Sequence, residues 1–117
     1  MRPSLILAAA RALIATPEKW TRGAFGRTAD GTPCSSGDPD AVAFCLSGAL
    51  ISASNEDYQA WQEATVYLKR VIAAELEGRP NWTGLSVIGY SDNSERTHGE
   101  VLAALSRACA LAIAEGQ

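Results

Sequence analysis

Apolar positions recur at helical spacing in four stretches of the chain, separated by segments rich in glycine and short polar residues. From Ser4 to Ala15, the set Leu5, Ala8, Ala9, Ala12 and Leu13 falls on one helical face, with Ser4 placed to cap it. Thr16-Pro17 breaks that pattern, and Thr16 can cap a short turn with Pro17 at its first position, leading into Trp20. Asp38-Pro39 predicts the start of a second helix reaching about Ser52: an aspartate cap, proline at N1 and Asp40 suited to the dipole. Its apolar face is Val42, Cys45, Leu46, Ala49, Leu50 and Ala53, and Gly48-Ala49 lets another element come close. Ser54-Asn55-Glu56-Asp57 opens a third helix, with Tyr58, Trp61, Thr65, Leu68, Ile72 and Leu76 on one side. Gly78 ends that helix and Pro80 prevents its return. The last helix runs from about Thr97 to Glu115, along Val101, Leu102, Leu105, Ala108, Cys109, Ala112 and Ile113.

The intervening segments read differently. Trp20 to Gly37 is rich in Gly, Thr, Asp and Ser, with Phe25 its one large apolar residue after Trp20. Within it Ala29-Asp30-Gly31-Thr32 holds the Asp-Gly pair favoured by a type I′ turn, so a small hairpin is expected, and two strands alone must lean on helices. Trp82 to Tyr90 carries the short apolar run Leu85-Ser86-Val87-Ile88, which fits a brief strand or an extended packed loop equally well. The expected fold is mainly α: a single domain over residues 1–117, of about four helices, with a small β-hairpin or extended insertion between the first and second long helices.

Composition narrows the function classes. A chain of 117 residues buries about two thirds of its unfolded surface, enough for a core without metal or disulfide support. Hydrophobic residues at 47% and charged ones at 20% exclude a disordered composition. The formal charge of −3 disfavours nucleic-acid backbones as partners, although Arg22 with Arg27 could hold an anion locally. Cys34, Cys45 and Cys109 have no paired spacing, so a disulfide framework is not expected and a reducing cytoplasm is the simplest setting. Arg11 interrupts the first apolar run well short of a signal-peptide core, and no run approaches a membrane span. Asn81-Trp82-Thr83 matches a glycosylation acceptor, without meaning in that compartment.

The stretch Ser91 to Glu100, SDNSERTHGE, holds the single histidine of the chain. Thr97-His98-Gly99-Glu100 fits a capping box, and Asp92 and Glu95 lie where a helix dipole favours acids. Capping explains all of these but His98, at N1, which is left as a candidate general base or ligand-binding group beside Asp92. A Cys45-His98-Asp92 triad can be written, but Cys45 would sit about two turns inside its helix, on the apolar face, where a thiol is usually inert packing. A zinc site from Cys34, Cys45, His98 and Cys109 is weaker still, since no pair has ligand spacing. No Gly-rich phosphate loop and no nucleophile elbow are present. A helix-turn-helix over Asp38 to Arg70 would point Glu56, Asp57 and Glu63 at phosphate. Trp20 and Arg22 are the better candidates beside His98, with burial as a lid the commonplace role for the tryptophan. Were the hairpin to fold over the start of the last helix, Trp20, Arg27 and His98 would wall a small polar pocket.

Three segments, EKWTRGAFGRTADGTP, DPDAVAFCLSGAL and YSDNSERTHGEVLAAL, resemble a family of small bacterial and phage proteins known as domain of unknown function 6197. The likeness spans about Leu5 to Ala108. It rests on Trp20 followed by Gly23-Ala24-Phe25, on Cys45-x-x-Gly48-Ala49, and on an aromatic-Asn-Asp preceding Thr97-His98-x-Glu100-Val101. The chain departs at Ser91, where the pattern has Asn, which puts any amide contact from that position in question. The resemblance implies no activity, but it implies that Trp20, Asp92 and His98 belong together. The expectation is a non-enzymatic module binding a partner protein or small ligand, without cofactor or metal, through Trp20, Arg22, Arg27, Asp92, Thr97 and His98. The alternatives are a small hydrolase or transferase using His98 with Asp92 or Cys45, and a DNA-binding regulator. Homo-oligomerisation is left open.

Overall fold

A computed structural model describes residues 1–76, 87–92 and 96–117. Its elements are α1 (Pro3–Leu13), a 3-10 turn (Pro17–Lys19), β1 (Gly26–Arg27), β2 (Pro33–Cys34), β3 (Ala43–Phe44), α2 (Leu46–Ala53), α3 (Tyr58–Leu76), α4 (Val87–Asp92) and α5 (His98–Ala114). The mainly-α expectation holds, with one helix more than the hydrophobic pattern suggested. The extra one is α4, which turns Val87 and Ile88 into helix where a strand or extended loop was expected. The expected helix stop at Gly78 and Pro80, the Asn81-Trp82-Thr83 match, Leu85, Ser86 and Glu95 lie outside the described residues.

Helix α1 is the centre of the packing, lying against α5, α2 and α3. The face it buries is not the expected one. Ile6, Leu7, Ala10 and Ile14 are sealed, whereas Leu5 is 57% exposed. Two stripes were available, and the chosen one carries the bulkier β-branched and γ-branched side chains, which remove more apolar area from water than the alanine-rich alternative. Ser4 is not a cap either: it lies inside α1 and its hydroxyl donates to the carbonyl of Gln117 at 3.0 Å, while Cys109 donates to the carbonyl of Ser4. Leu68, Ile72, Val101 and Leu105 complete the core from α3 and α5. Tyr58, expected on the buried side of α3, is 67% exposed, set edge-on against Trp61.

Helix α2 begins seven residues later than Asp38-Pro39 suggested, with Cys45 rather than Asp38 as its N-cap. The Asp38 carboxylate accepts from the amide of Asp40 at 2.8 Å, closing a local Asx turn rather than a helix, and the chain then runs extended. Extension is rewarded because Ala43–Phe44 adds a third strand to the expected hairpin. Both neighbours of β1 are antiparallel, in the order β2-β1-β3. Trp20 bridges to Phe44 and extends that edge. The hairpin turn also differs in type. A type I′ turn needs left-handed Asp30 and Gly31, but only Gly31 has positive φ, at 87°. The amide of Gly31 donates to Thr28, and the turn is a type I with a glycine bulge. Asp30 accepts from the Thr28 hydroxyl and the Thr32 amide, and these bonds bring its pKa down to about 2. The segment expected to open α3 instead makes a tight reversal with Asn55 and Glu56 both left-handed, and α3 starts after Asp57, whose carboxylate accepts from Ala60.

Candidate functional site

The three segments that carry the family resemblance converge on one place, where the loop after the 3-10 turn meets the starts of α2 and α5 and the end of α4. Trp20 is half-buried against the core, and its indole Nε1 donates to the hydroxyl of Ser91 at 3.3 Å. Ser91 is fully buried, and the same oxygen accepts from the amide of Leu46, the first of α2, also at 3.3 Å. One hydroxyl thus ties the indole, α2 and α4 together. Ser91 places a hydroxyl acceptor at the position where the resemblance expects Asn.

Around that bond the loop Thr21–Gly23 is fixed from both sides. Gly23, at positive φ, gives its amide to Asp92 Oδ1 at 3.1 Å. Arg22 stacks its guanidinium over the Trp20 ring at 4.4 Å, and its Nη2 donates to the carbonyl of Arg96. Its Nε is sealed from solvent with no acceptor among the described residues, a state that costs about 1–3 kcal/mol. Arg27, expected to wall a pocket with Trp20 and His98, is engaged by the loop and the hairpin. Its three nitrogens donate to Thr21 Oγ1, Gly31 and the carbonyl of Arg22, so it braces the loop from the hairpin side.

His98 stands at N1 of α5 with its ring 5.9 Å from the Trp20 ring, tilted 34°. Its Nε2 lies 2.6 Å from the carbonyl of Ile14. A carbonyl can only accept, so Nε2 carries the proton and is committed to the end of α1. The ring is therefore half stitched into the fold, where the sequence suggested it was spare. Thr97 makes the expected capping box: its hydroxyl accepts from the amide of Glu100, and the Glu100 carboxylate accepts from the amide of Thr97 at 3.0 Å. That backbone bond, with help from Arg96, holds the Glu100 carboxyl below the usual range.

Cys45 corrects the sequence reading. It is the N-cap of α2, with Sγ accepting from the amide of Gly48 at 3.3 Å. A helix start ordinarily activates a thiol. Here burial, reinforced by the charge of Asp92, pushes the Cys45 thiol up despite the Gly48 amide, and the residue is 3% exposed. Among the described residues neither Cys45 nor Asp92 is hydrogen-bonded to His98, and no group of three His, Cys, Asp or Glu could hold a metal ion. The Cys-x-x-Gly pattern has a packing cause. A Cβ at Gly48 would run into the carbonyl of Phe25, which also accepts from the amide of Cys45.

Arg96 was missed in the sequence. It is buried, lies 3.7 Å over the Tyr90 ring, donates to the Tyr90 carbonyl and pairs with Glu100 at 3.1 Å. Tyr90 in turn donates its hydroxyl to Glu75, and burial followed by that carboxylate pushes its pKa up. Nothing local marks an arginine in a polar loop as buried. Ser91, by contrast, was flagged by its departure from the family pattern.

A family model described as a family of unknown function (DUF6197) matches residues 1–111. No curated protein and no solved structure matches the chain.

Proposed function

The chain belongs to the DUF6197 family of unknown function, and we propose that it is a non-enzymatic binding module whose contact face is built on Trp20, Arg22, Asp92 and His98. The observation that carries this reading is the state of Cys45. The one nucleophile near the cluster is sealed and held as a thiol, while the Trp20–Arg22 stack beside it is only half-buried. An indole under a guanidinium is a surface suited to recognition, with large area and little side-chain entropy left to lose. Arg27 and Thr97 serve the face from behind, one by bracing the loop and the other by capping α5. The partner is a protein or a small ligand. A cytoplasmic setting is part of the same reading, supported by three cysteines that all stand free. A place in phage or mobile-element biology rests on the resemblance alone.

The hydrolase or transferase alternative needs a proton path from Cys45 or Asp92 to His98. The raised thiol pKa counts against it, and among the described residues neither Cys45 nor Asp92 is hydrogen-bonded to His98. The DNA-binding alternative is opposed by the net charge.

The test is native mass spectrometry of the protein purified from its own host, beside a Trp20→Ala variant. A stoichiometric added mass or partner that the variant loses is the expected result. A bare chain in both preparations, together with rapid and specific alkylation of Cys45 by iodoacetamide at neutral pH, would overturn the reading and favour the enzyme.

A further inference from the structure

We infer that what this face takes carries an oxyanion, and that Arg22 is the residue that reads it. The inference rests on the binding reading above and adds the chemistry of the ligand. Its ground is a local charge imbalance. Among the described residues the ion pairs are Arg70 with Glu115 and Arg96 with Glu100. Among the described residues, Arg22 and Arg27, tied to the same short loop, are held only by neutral acceptors: carbonyls and one hydroxyl. The carboxylates at the site are engaged elsewhere. Asp92 accepts from Gly23, and Glu100 has one oxygen on Thr97 and the other on Arg96. On a chain whose net charge is −3, two guanidiniums tied to one loop without a described counterion stand out from the average surface.

Neutral acceptors fix a guanidinium in place without neutralising it. Its charge therefore stays available to an anion. The fork of Arg22 matches the paired oxygens of a carboxylate or phosphate, and the Trp20 ring behind it holds the plane of the fork. The Nε of Arg22 adds a second, independent sign. It is buried and has no acceptor among the described residues. A rotation that carries the guanidinium off the Arg96 carbonyl and onto an oxyanion gives that N–H the partner it lacks. The loop need not move, because Arg27 and Asp92 keep hold of its backbone.

The experiment is a titration of the full chain, followed by proton–nitrogen correlation spectra. Inorganic phosphate and citrate are the two probes, and sodium chloride at matched ionic strength is the control. The indole N–H of Trp20, assigned with Trp20→Phe, is the reporter. A saturable shift with phosphate alone assigns a phosphoryl group to the ligand, and one with citrate alone assigns a carboxylate. Arg22→Met should weaken that binding at least about tenfold, as expected for losing a charge-assisted pair, with dispersion of the other resonances retained. If Arg22→Met does not fold, Arg22→Lys keeps the charge without the fork and should still bind more weakly than the native chain. Equal shifts with chloride, no saturation with either probe, or Arg22 variants that titrate like the native chain would each overturn the inference. The two readings fail differently. A neutral or cationic ligand found by native mass spectrometry, and retained by the Arg22 variants, sinks the oxyanion and leaves the binding module standing. A chain that binds nothing in either experiment loses both.

Discussion

Helices α2 and α5 both begin at the candidate site, and they begin in opposite ways. The start of α5 is written locally. Thr97 and Glu100 satisfy each other's backbone amides within four residues. The start of α2 is assembled from distant chain. Cys45 caps the amide of Gly48, but the amide of Leu46 is met by Ser91, and the amide of Cys45 by the carbonyl of Phe25. A local start can form wherever its few residues are. An assembled start exists only when strand, loop and α4 are already in place, so α2 reports on the integrity of the whole site and α5 does not.

The largest effect that would expose this difference is expected at Gly48. Its Cα faces the Phe25 carbonyl so closely that a side chain cannot be admitted without moving β1 or α2. Gly48→Ala should cost about 3 kcal/mol or more in urea unfolding, at the upper end for overpacking, and should disturb the Trp20 environment as well. A cost below about 1 kcal/mol would mean that the two elements are not locked together.

Next comes Ser91→Ala. The substitution leaves two donors, the amide of Leu46 and the indole N–H of Trp20, without their acceptor. About 2 kcal/mol is expected, with a shift of the Trp20 indole resonance. Ser91→Asn, the residue of the family pattern, should recover much of the loss, because its amide oxygen can accept from either donor. If Ser91→Ala is silent, the bond between α4 and α2 is not what sets the start of α2.

These contrasts also account for what could be read in the sequence. The capping box at Thr97, the proline turn at Pro17, the existence of a hairpin and most of the apolar faces of α2 and α5 depend on neighbours in the chain and were legible. Val42, however, expected on the face of α2, precedes that helix and is exposed, and Ile113, expected on the face of α5, is exposed too. Asp38-Pro39 was legible too, but ambiguous. An aspartate before proline closes an Asx turn as readily as it caps a helix, and pairing of Ala43–Phe44 with β1 decided between them. The buried stripe of α1 was misread rather than hidden: Leu5, Ala8, Ala12 and Leu13 have helical spacing, but Ile6, Leu7 and Ile14 carry more apolar area and are the ones that pack into the core. At the site, Trp20, Asp92 and His98 were named, and the structure brings them together. The buried roles of Ser91 and Arg96 depend on contacts across many residues of chain, which no local pattern encodes.

At the start of α5, smaller effects of known sign are expected. Thr97→Ala removes the hydroxyl of the capping box and should cost about 1 kcal/mol, leaving the Trp20 resonance where it was. Gly99 sits in the first turn of α5 as Gly48 does in α2, but among the described residues outside its own helix backbone and chain neighbours nothing lies closer than Thr97 Oγ1 at 4.0 Å to where its Cβ would be. Gly99→Ala should therefore stabilise by about 0.5–1 kcal/mol, the reverse of Gly48→Ala. The same substitution one turn into two helices, with opposite signs, separates a local helix start from an assembled one. Equal signs would erase the distinction.

The smallest effect is a pH dependence that belongs to α5 alone. Glu100 accepts from the Thr97 amide and hydroxyl and from Arg96, so its folded pKa lies below the ordinary 4.5, the backbone bond contributing most. Depression of a carboxyl pKa means that the folded state prefers the ionised form. The stability this confers is fully present above the ordinary carboxylate range. It shrinks as pH falls through the folded pKa, once the bonds to the carboxylate are lost to protonation. Helix α2 has no acid in its first turn and contributes nothing of this kind. Glu100→Gln keeps an oxygen able to accept from Thr97 but cannot titrate. Urea midpoints of the native chain and Glu100→Gln should therefore differ at pH 7 and draw together toward pH 3. The gap is expected to be small, since the carboxylate is largely solvated. A gap that stays constant across that range would mean that Glu100 acts through shape rather than charge, and the capping box would then be the whole of its role.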